Sequence, residues 1–234
     1  MTRTHIPTEF MGVNTKEAYD RVINSKDPVP VSNPVTNTRN IDGMIPIPGT
    51  NIHFAKERTY LNKSWNDTHS LLASENLRMP TIPEFIEALK YFKSSRDNEL
   101  QTLYNEITEV RSPWRANWLD ADFKVINGIL HINYNHSIQN GILTPRNSEP
   151  LNAKTLMENR TPGVSLDSWL SNSTSQGLPK TDITEGKLYY WSPMSDNNSV
   201  ARFDADSGRA DLGCYGDPSG ASPELGVYAV AQGV

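Results

Sequence analysis

The run Ser199-Val200-Ala201-Arg202-Phe203-Asp204-Ala205-Asp206-Ser207-Gly208-Arg209-Ala210-Asp211-Leu212-Gly213-Cys214-Tyr215 interleaves two kinds of residue. Val200, Ala201, Phe203, Ala205, Leu212 and Cys214 are small or apolar, and Asp, Arg, Gly and Tyr stand between them. Successive side chains of a strand point to opposite faces. Asp211-Leu212-Gly213-Cys214-Tyr215 therefore predicts a strand that buries Leu212 and Cys214 and exposes Asp211, Gly213 and Tyr215. A second strand is expected from Ser199 to Phe203.

The wider window from Ser195 to Pro223 holds five Ser, four Gly and five Asp, together with Asn197, Asn198 and Tyr215. Paratopes use such residues because they hydrogen-bond adaptably at low ordering cost; an ordinary polar loop region has a similar composition. The window lacks Lys, Glu, Gln, Met and Trp, although these types make up 38 of the 234 residues. The five missing types are the ones an AAC codon cannot reach by replacement of its adenines. Asn, Asp, Ser, Gly, Tyr, Ala and Arg can all be reached.

Moving outward, Lys187 to Trp191 and Leu225 to Val230 predict further strands. Phe123 to Ile126 and Ile129 to Tyr134 flank Asn127-Gly128, a hairpin signal because both turn residues tolerate positive φ. Residues 137 to 185 are polar and turn-rich, with local order expected only at Ser165 to Leu170. In Thr81-Ile82-Pro83-Glu84 the Thr81 and Glu84 side chains can complete a capping box, with Pro83 in the first turn of a helix that buries Phe85, Leu89 and Phe92. A second helix is expected from about Asp97 to Val110, with Leu100, Leu103, Tyr104 and Ile107 at helical spacing. Thr15 can cap a short helix carrying Ala18 and Val22. Prolines 28, 30, 34, 46 and 48 predict an extended arm or loop from Asp27 to Thr50. Early helices followed by short strands predict an α+β domain. The expected division is an N-terminal arm or small subdomain, 1–43, and a main domain, 44–234.

Bulk properties exclude some functions. A net charge of −5 without a basic stripe argues against nucleic-acid binding. One cysteine cannot form an intramolecular disulfide. No stretch is long enough to span a membrane, and the first residues lack the apolar core of a signal peptide. These features fit a protein made in a reducing compartment; a virion or surface location reached without a signal peptide stays open.

Val200 to Cys214, with Pro218 and Leu225-Gly226-Val227, resembles the variable region of diversity-generating retroelement target proteins, most closely the archaeal type. Leu77 to Phe85, Glu109 to Arg115 and Tyr189-Tyr190-Trp191 are similar to other parts of that family. Met44 to Gly49 resembles the opening strand of the formylglycine-generating branch of the same fold. The resemblance covers about residues 77–234, or 44–234 when the opening strand is included, and is most specific from Tyr189 onward. It implies a C-type-lectin-like fold, with two helices supporting short twisted antiparallel strands. It also implies a binding role toward a macromolecular ligand, a protein, through a variable region at about 190–230. The framework it implies is Trp191, Val200, Ala201, Phe203, Ala205, Arg209, Ala210, Leu212, Cys214, Pro218, Leu225, Gly226 and Val227. The variable, ligand-facing positions it implies are Asp204, Gly208, Asp211, Gly213, Tyr215, Gly216, Asp217, Ser219, Gly220, Ala221 and Ser222, with Arg202 and Tyr228 at the margin.

Other motifs favour plainer readings. Trp65-Asn66-Asp67 matches a calcium-lectin tripeptide but lies in the N-terminal third without its partner motif, and reads as a loop tryptophan with turn residues. Asp204 and Asp206 fall on one face of a strand with Asp196 nearby, and a hard cation takes six to eight oxygens from such groups, but solvated or ligand-facing carboxylates are the simpler account. His131 and His136 with Asn133 and Asn135 supply two ligands where zinc needs four. Trp114, Trp118, Trp169, Tyr189, Tyr190 and Trp191 read as core packing rather than a sugar platform. The single Cys214 cannot supply the cysteine pair of formylglycine chemistry, and no Ser-His-Asp spacing or phosphate loop is present. The expectation is a non-enzymatic binder with no catalytic residues, metal or cofactor; oligomeric state is open. The alternatives are an enzyme of the formylglycine-generating type working without that pair, or a structural virion or surface component.

Overall fold

The computed structural model describes residues 9–10, 13–14 and 41–233. The chain forms two compact units, Met1–Thr38 and Arg39–Val234. In the first, β1 (Glu9–Phe10) pairs antiparallel with β2 (Val13–Asn14). The helix expected after Thr15 and the arm from Asp27 to residue 40 lie outside the described residues.

The second unit begins with β3 (Ile45–Pro46) and β4 (Ile52–Phe54). Three helices follow: α1 (Trp65–Ser74), α2 (Ile82–Ser94) and α3 (Asn98–Thr108). Next come β5 (Arg115–Ile126), β6 (Ile129–Gln139), β7 (Ile142–Pro150) and β8 (Arg160–Val164). After α4 (Leu166–Ser171) and β9 (Leu188–Trp191) the chain runs through β10 (Ser199–Ala205) and β11 (Ala210–Gly216). It ends in β12 (Leu225–Gly226) and β13 (Val230–Gln232). The main sheet has the order β7-β6-β5-β10-β11-β9-β8, with β12 added to β5. Its pairs are antiparallel except β11–β9 and β12–β5. A second sheet, β13-β4-β3, joins the two ends of the unit. The architecture is therefore α+β, as expected. No helix among the described residues is long and apolar enough to cross a membrane.

Local chemistry explains the predicted helices. The Glu84 amide donates to Thr81 Oγ1 at 3.4 Å, and the Thr81 amide donates to Glu84 Oε2 at 2.9 Å, which completes the capping box. Asp97 caps α3 through the Glu99 amide at 2.8 Å. Asn127 and Gly128 take φ 52° and 80°, closing the β5–β6 hairpin as read.

Three expectations change. Trp65-Asn66-Asp67 is not a loop but the first turn of α1; Ser64 caps it, accepting from the Asp67 amide at 3.0 Å. Its buried positions Trp65, Thr68, His69 and Leu72 have helical spacing, but Thr and His at two of them hid the apolar stripe. The stretch 137–185 is more regular than its polarity suggests. Asn140-Gly141, at φ 52° and 78°, closes a second hairpin between β6 and β7. Finally, four helices rather than two accompany the sheet among the described residues, and β5 is 12 residues long rather than short.

Strand β5 is buried on both faces and divides the interior. Leu119, Ala121 and Phe123 join α2, α3 and α4 in a large core containing Phe85, Phe92, Trp169, Phe203 and Leu212. Ala116 and Trp118 alternate with them and enter a second core with Trp65, Leu72, Val200, Leu225 and Val227.

Candidate binding site

Strands β10, β11 and β9 lie side by side, in that order, in the main sheet. Phe203 pairs with Leu212, and both are fully buried toward the large core, with Phe203 stacked on Trp169 at 6.0 Å. Arg202 pairs with Gly213, and Asp204 with Asp211, so these side chains share the other face. The parallel register sets Tyr189 beside Asp211 and Trp191 beside Gly213. The Arg202 guanidinium lies over Tyr215 at 5.4 Å and that of Arg209 over Tyr189 at 5.2 Å. Trp191 meets Tyr215 edge-on at 5.4 Å.

This face opens into a cleft of about 660 Å³, lined by Arg202, Asp204, Gly208, Asp211 and Tyr215, with Trp114 and Arg209 at its sides. Asp204 and Asp211 are not on an exposed surface, as the alternation alone suggested, but 5% and 3% exposed on its floor. The neighbouring strand and the arginines above them exclude water. Arg202 Nε lies 2.9 Å from Asp204 Oδ2, and Arg209 Nε lies 3.5 Å from Asp211 Oδ2. Neither contact is aligned as a hydrogen bond, and Asp204 Oδ1 and Asp211 Oδ1 also have no hydrogen-bond partner. Burial raises both carboxyls above the usual carboxylate range; Arg202 and Arg209 oppose the rise, Asp206 adds to it at both, and Asp211 adds to that of Asp204.

The remaining predicted positions behave differently. Gly216 is buried, and a Cβ there would stand 3.0 Å from the Val200 carbonyl oxygen and 3.2 Å from Trp118. It is a packing glycine rather than a free position. Gly213 is buried too, but a Cβ there meets chiefly the Tyr215 ring, at 3.1 Å, which can swing away. Gly208 has open space beyond Asp206 Oδ1 at 3.5 Å. Asp217, Ser219, Gly220, Ala221 and Ser222 form a loop outside the cleft lining. Its backbone is held while Asp217, Ser219 and Ala221 face outward. The Trp65 amide donates to the Pro218 carbonyl at 3.1 Å, and the Asn62 amide to that of Ser222 at 3.0 Å. Asp217 is occupied by its own turn, accepting from the Ser219 amide and hydroxyl at 2.9 and 2.7 Å.

Most framework positions are buried, but Trp191, Arg209, Ala210 and Pro218 are only half-buried. Trp191 and Tyr189 therefore stand at the site; of the three adjacent aromatics, only Tyr190 lies in the core. Tyr228, assigned marginally to the variable set, is buried and stacks on Phe54 at 5.7 Å. Asp206 lines the cleft with Asp204, and Asp196 does not. Asp196 accepts from Ser199 Oγ at 2.8 Å, and Asp206 from the Gly208 amide at 2.7 Å. Cys214 is fully buried, which pushes its thiol up strongly and removes nucleophilic character.

A second polar cluster was missed. His69 of α1, Asp120 of β5 and His136 of β6 meet beneath Trp65, whose ring contacts the two imidazoles edge-on at 4.2 and 4.9 Å. His136 Nδ1 lies 2.5 Å from Asp120 Oδ1, and its amide donates to Asp120 Oδ2 at 3.0 Å. Burial alone would lower His136, but hydrogen bonds and charge from Asp120 and Asp122 outweigh it and raise the imidazole to about 9. Burial lowers His69 to about 4, against the pull of Asp120. His131, the histidine paired with His136 in the sequence reading, is not in the cluster and faces Ser148 at 3.5 Å. The available signal was the helical spacing of Trp65 and His69.

No protein-family model, curated protein or solved structure matches this chain.

Proposed function

We propose that the chain is a ligand-binding protein with a C-type-lectin-like fold. Its variable region, about residues 190–230, recognises a macromolecular ligand, a protein, and is rewritten by a retroelement. The observation that carries this reading is the two-sided character of β10 and β11. Phe203, Leu212, Cys214, Ala201 and Ala205 are held in the core. Across the same backbone, Arg202, Asp204, Asp211 and Tyr215 line a cleft whose floor has polar atoms without hydrogen-bond partners. Buried polar groups are ordinarily paired, so such atoms suit a partner that brings donors and acceptors. Loop 217–222 lies outside the cleft lining, and its Asp217, Ser219 and Ala221 side chains face outward. The buried Cys214 also weighs against thiol chemistry, and the reading is of a binder without catalytic residues.

DNA sequencing of the locus tests the retroelement part. A nearby repeat matching codons 190 to 230 except at adenines, beside a reverse transcriptase gene, is the expected result. Absence of both sinks diversification. Binding is tested by displaying the chain with randomised codons for Arg202, Asp204, Gly208, Asp211, Gly213, Tyr215 and the exposed residues of 217–222. Selection against unrelated proteins should return folded binders with distinct side chains there. A library that unfolds throughout sinks the assigned surface.

A further inference from the structure

We propose that His69, Asp120 and His136 form a binding site for a divalent transition-metal ion of the zinc class, with Asp122 as the adjoining carboxylate. The site is separate from the β10–β11 cleft and does not depend on the function proposed for that cleft. One ligand atom from each of the three residues lies within 4.8 Å of the others. Zinc holds nitrogen and oxygen ligands at about 2.0–2.1 Å, so tetrahedral ligands sit about 3.3 Å apart. His69 Nε2 and Asp120 Oδ1 are 3.7 Å apart, a few tenths from that spacing. Asp122 Oδ1 is 3.6 Å from His136 Nε2. A cation entering here takes the place of the proton between Asp120 and His136.

The unsatisfied atoms provide independent support. His69 has a side chain only 3% exposed, and its Nε2, aimed at Asp120, has no hydrogen bond. Asp122 Oδ1 is likewise buried without one. A metal held by His69, Asp120 and His136 Nδ1 would satisfy the first, and the Nε2 proton of the bound His136 faces the second. Two imidazoles with carboxylate suit zinc and its neighbours, whereas calcium and magnesium prefer all-oxygen shells. The site also has a supporting shell and a route in. The Trp65 indole, anchored to the Leu119 carbonyl at 2.9 Å, closes one side. His136 lines a cleft of about 520 Å³ with Leu77, Arg78 and Asn147. The ion would tie α1 to β5 and β6. Because the Trp65 amide holds the Pro218 carbonyl, it would also stiffen the support of the 217–222 loop.

Cobalt(II) titration of the full chain at neutral pH tests the site. One equivalent should bind and give the intense visible d–d band of a four-coordinate ion. His69→Gln and Asp120→Asn should abolish that band, Asp122→Asn should weaken binding about 10–100-fold, and His131→Gln should leave it unchanged. No uptake by the folded wild-type chain overturns the proposal, as does an unaltered band in His69→Gln. Should the variants fail to fold, X-ray absorption on zinc-loaded wild type decides. Two imidazoles in the shell support the site, and an all-oxygen shell overturns it.

Discussion

The two faces of the β10–β11 pair share one backbone and differ in almost every other respect. One carries Phe203, Leu212 and Cys214 into a close-packed core; the other sets Arg202, Asp204, Asp211 and Tyr215 around a cleft. On the first face a change of side chain opens a cavity or a clash. On the second it changes what can be bound. The boundary does not follow strand alternation alone, because Asp204, Asp211 and Gly213 stand on the polar side and are nonetheless buried. A strand can tolerate variation where its neighbours leave space, not simply where its side chains point away from the core.

The largest effects should come from the core face. Phe203→Ala should lose about 3–5 kcal/mol and Leu212→Ala about 2–5 kcal/mol, read from urea midpoints. Losses under about 1 kcal/mol at both would break the framework assignment. Gly216→Ala should follow at about 1–3 kcal/mol from overpacking, with Gly213→Ala costing less because the Tyr215 ring gives way. The reverse order would mean that the packing contrast between the two glycines is wrong.

A pH series probes the cleft floor. Folded-state carboxyls raised above their unfolded values contribute stability that is complete at low pH and lost as pH rises through the folded values. The groups facing Asp204 and Asp211 are Arg202, Arg209 and Asp206. The melting temperature of Asp204→Asn/Asp211→Asn, relative to wild type, should therefore climb as pH rises from about 4. A difference that is flat or falls would show the arginines, not burial, to be in control. Smallest of all, Ser219→Ala and Ala221→Ser should each change stability by no more than about 0.5 kcal/mol, checked by the same urea midpoints.

Much of the scaffold was legible in the chain. The Thr81–Glu84 box and the Asn127-Gly128 turn act over four residues or fewer, so their chemistry is written locally. Asn140-Gly141 carried the same signal, between Ile138 and Ile142-Leu143, but opens a stretch whose overall composition reads as polar and turn-rich. Helix α1 was missed because His69 and Thr68 occupy its buried stripe. Those exceptions to the apolar pattern are tied to contacts elsewhere in the fold, His69 among them.

The sequence by itself determined the α+β class, the Thr81–Glu84 cap and the Asn127-Gly128 turn, and the division of β10 and β11 into apolar and polar sides. Tertiary structure alone decided that Asp204 and Asp211 sink to a cleft floor, that Gly216 is confined, and that His69 meets Asp120 and His136. Caps and turns rest on short-range hydrogen bonds among neighbours in the chain. Burial of a strand's second face, and the joining of side chains dozens of residues apart, depend on which other segments come to cover it.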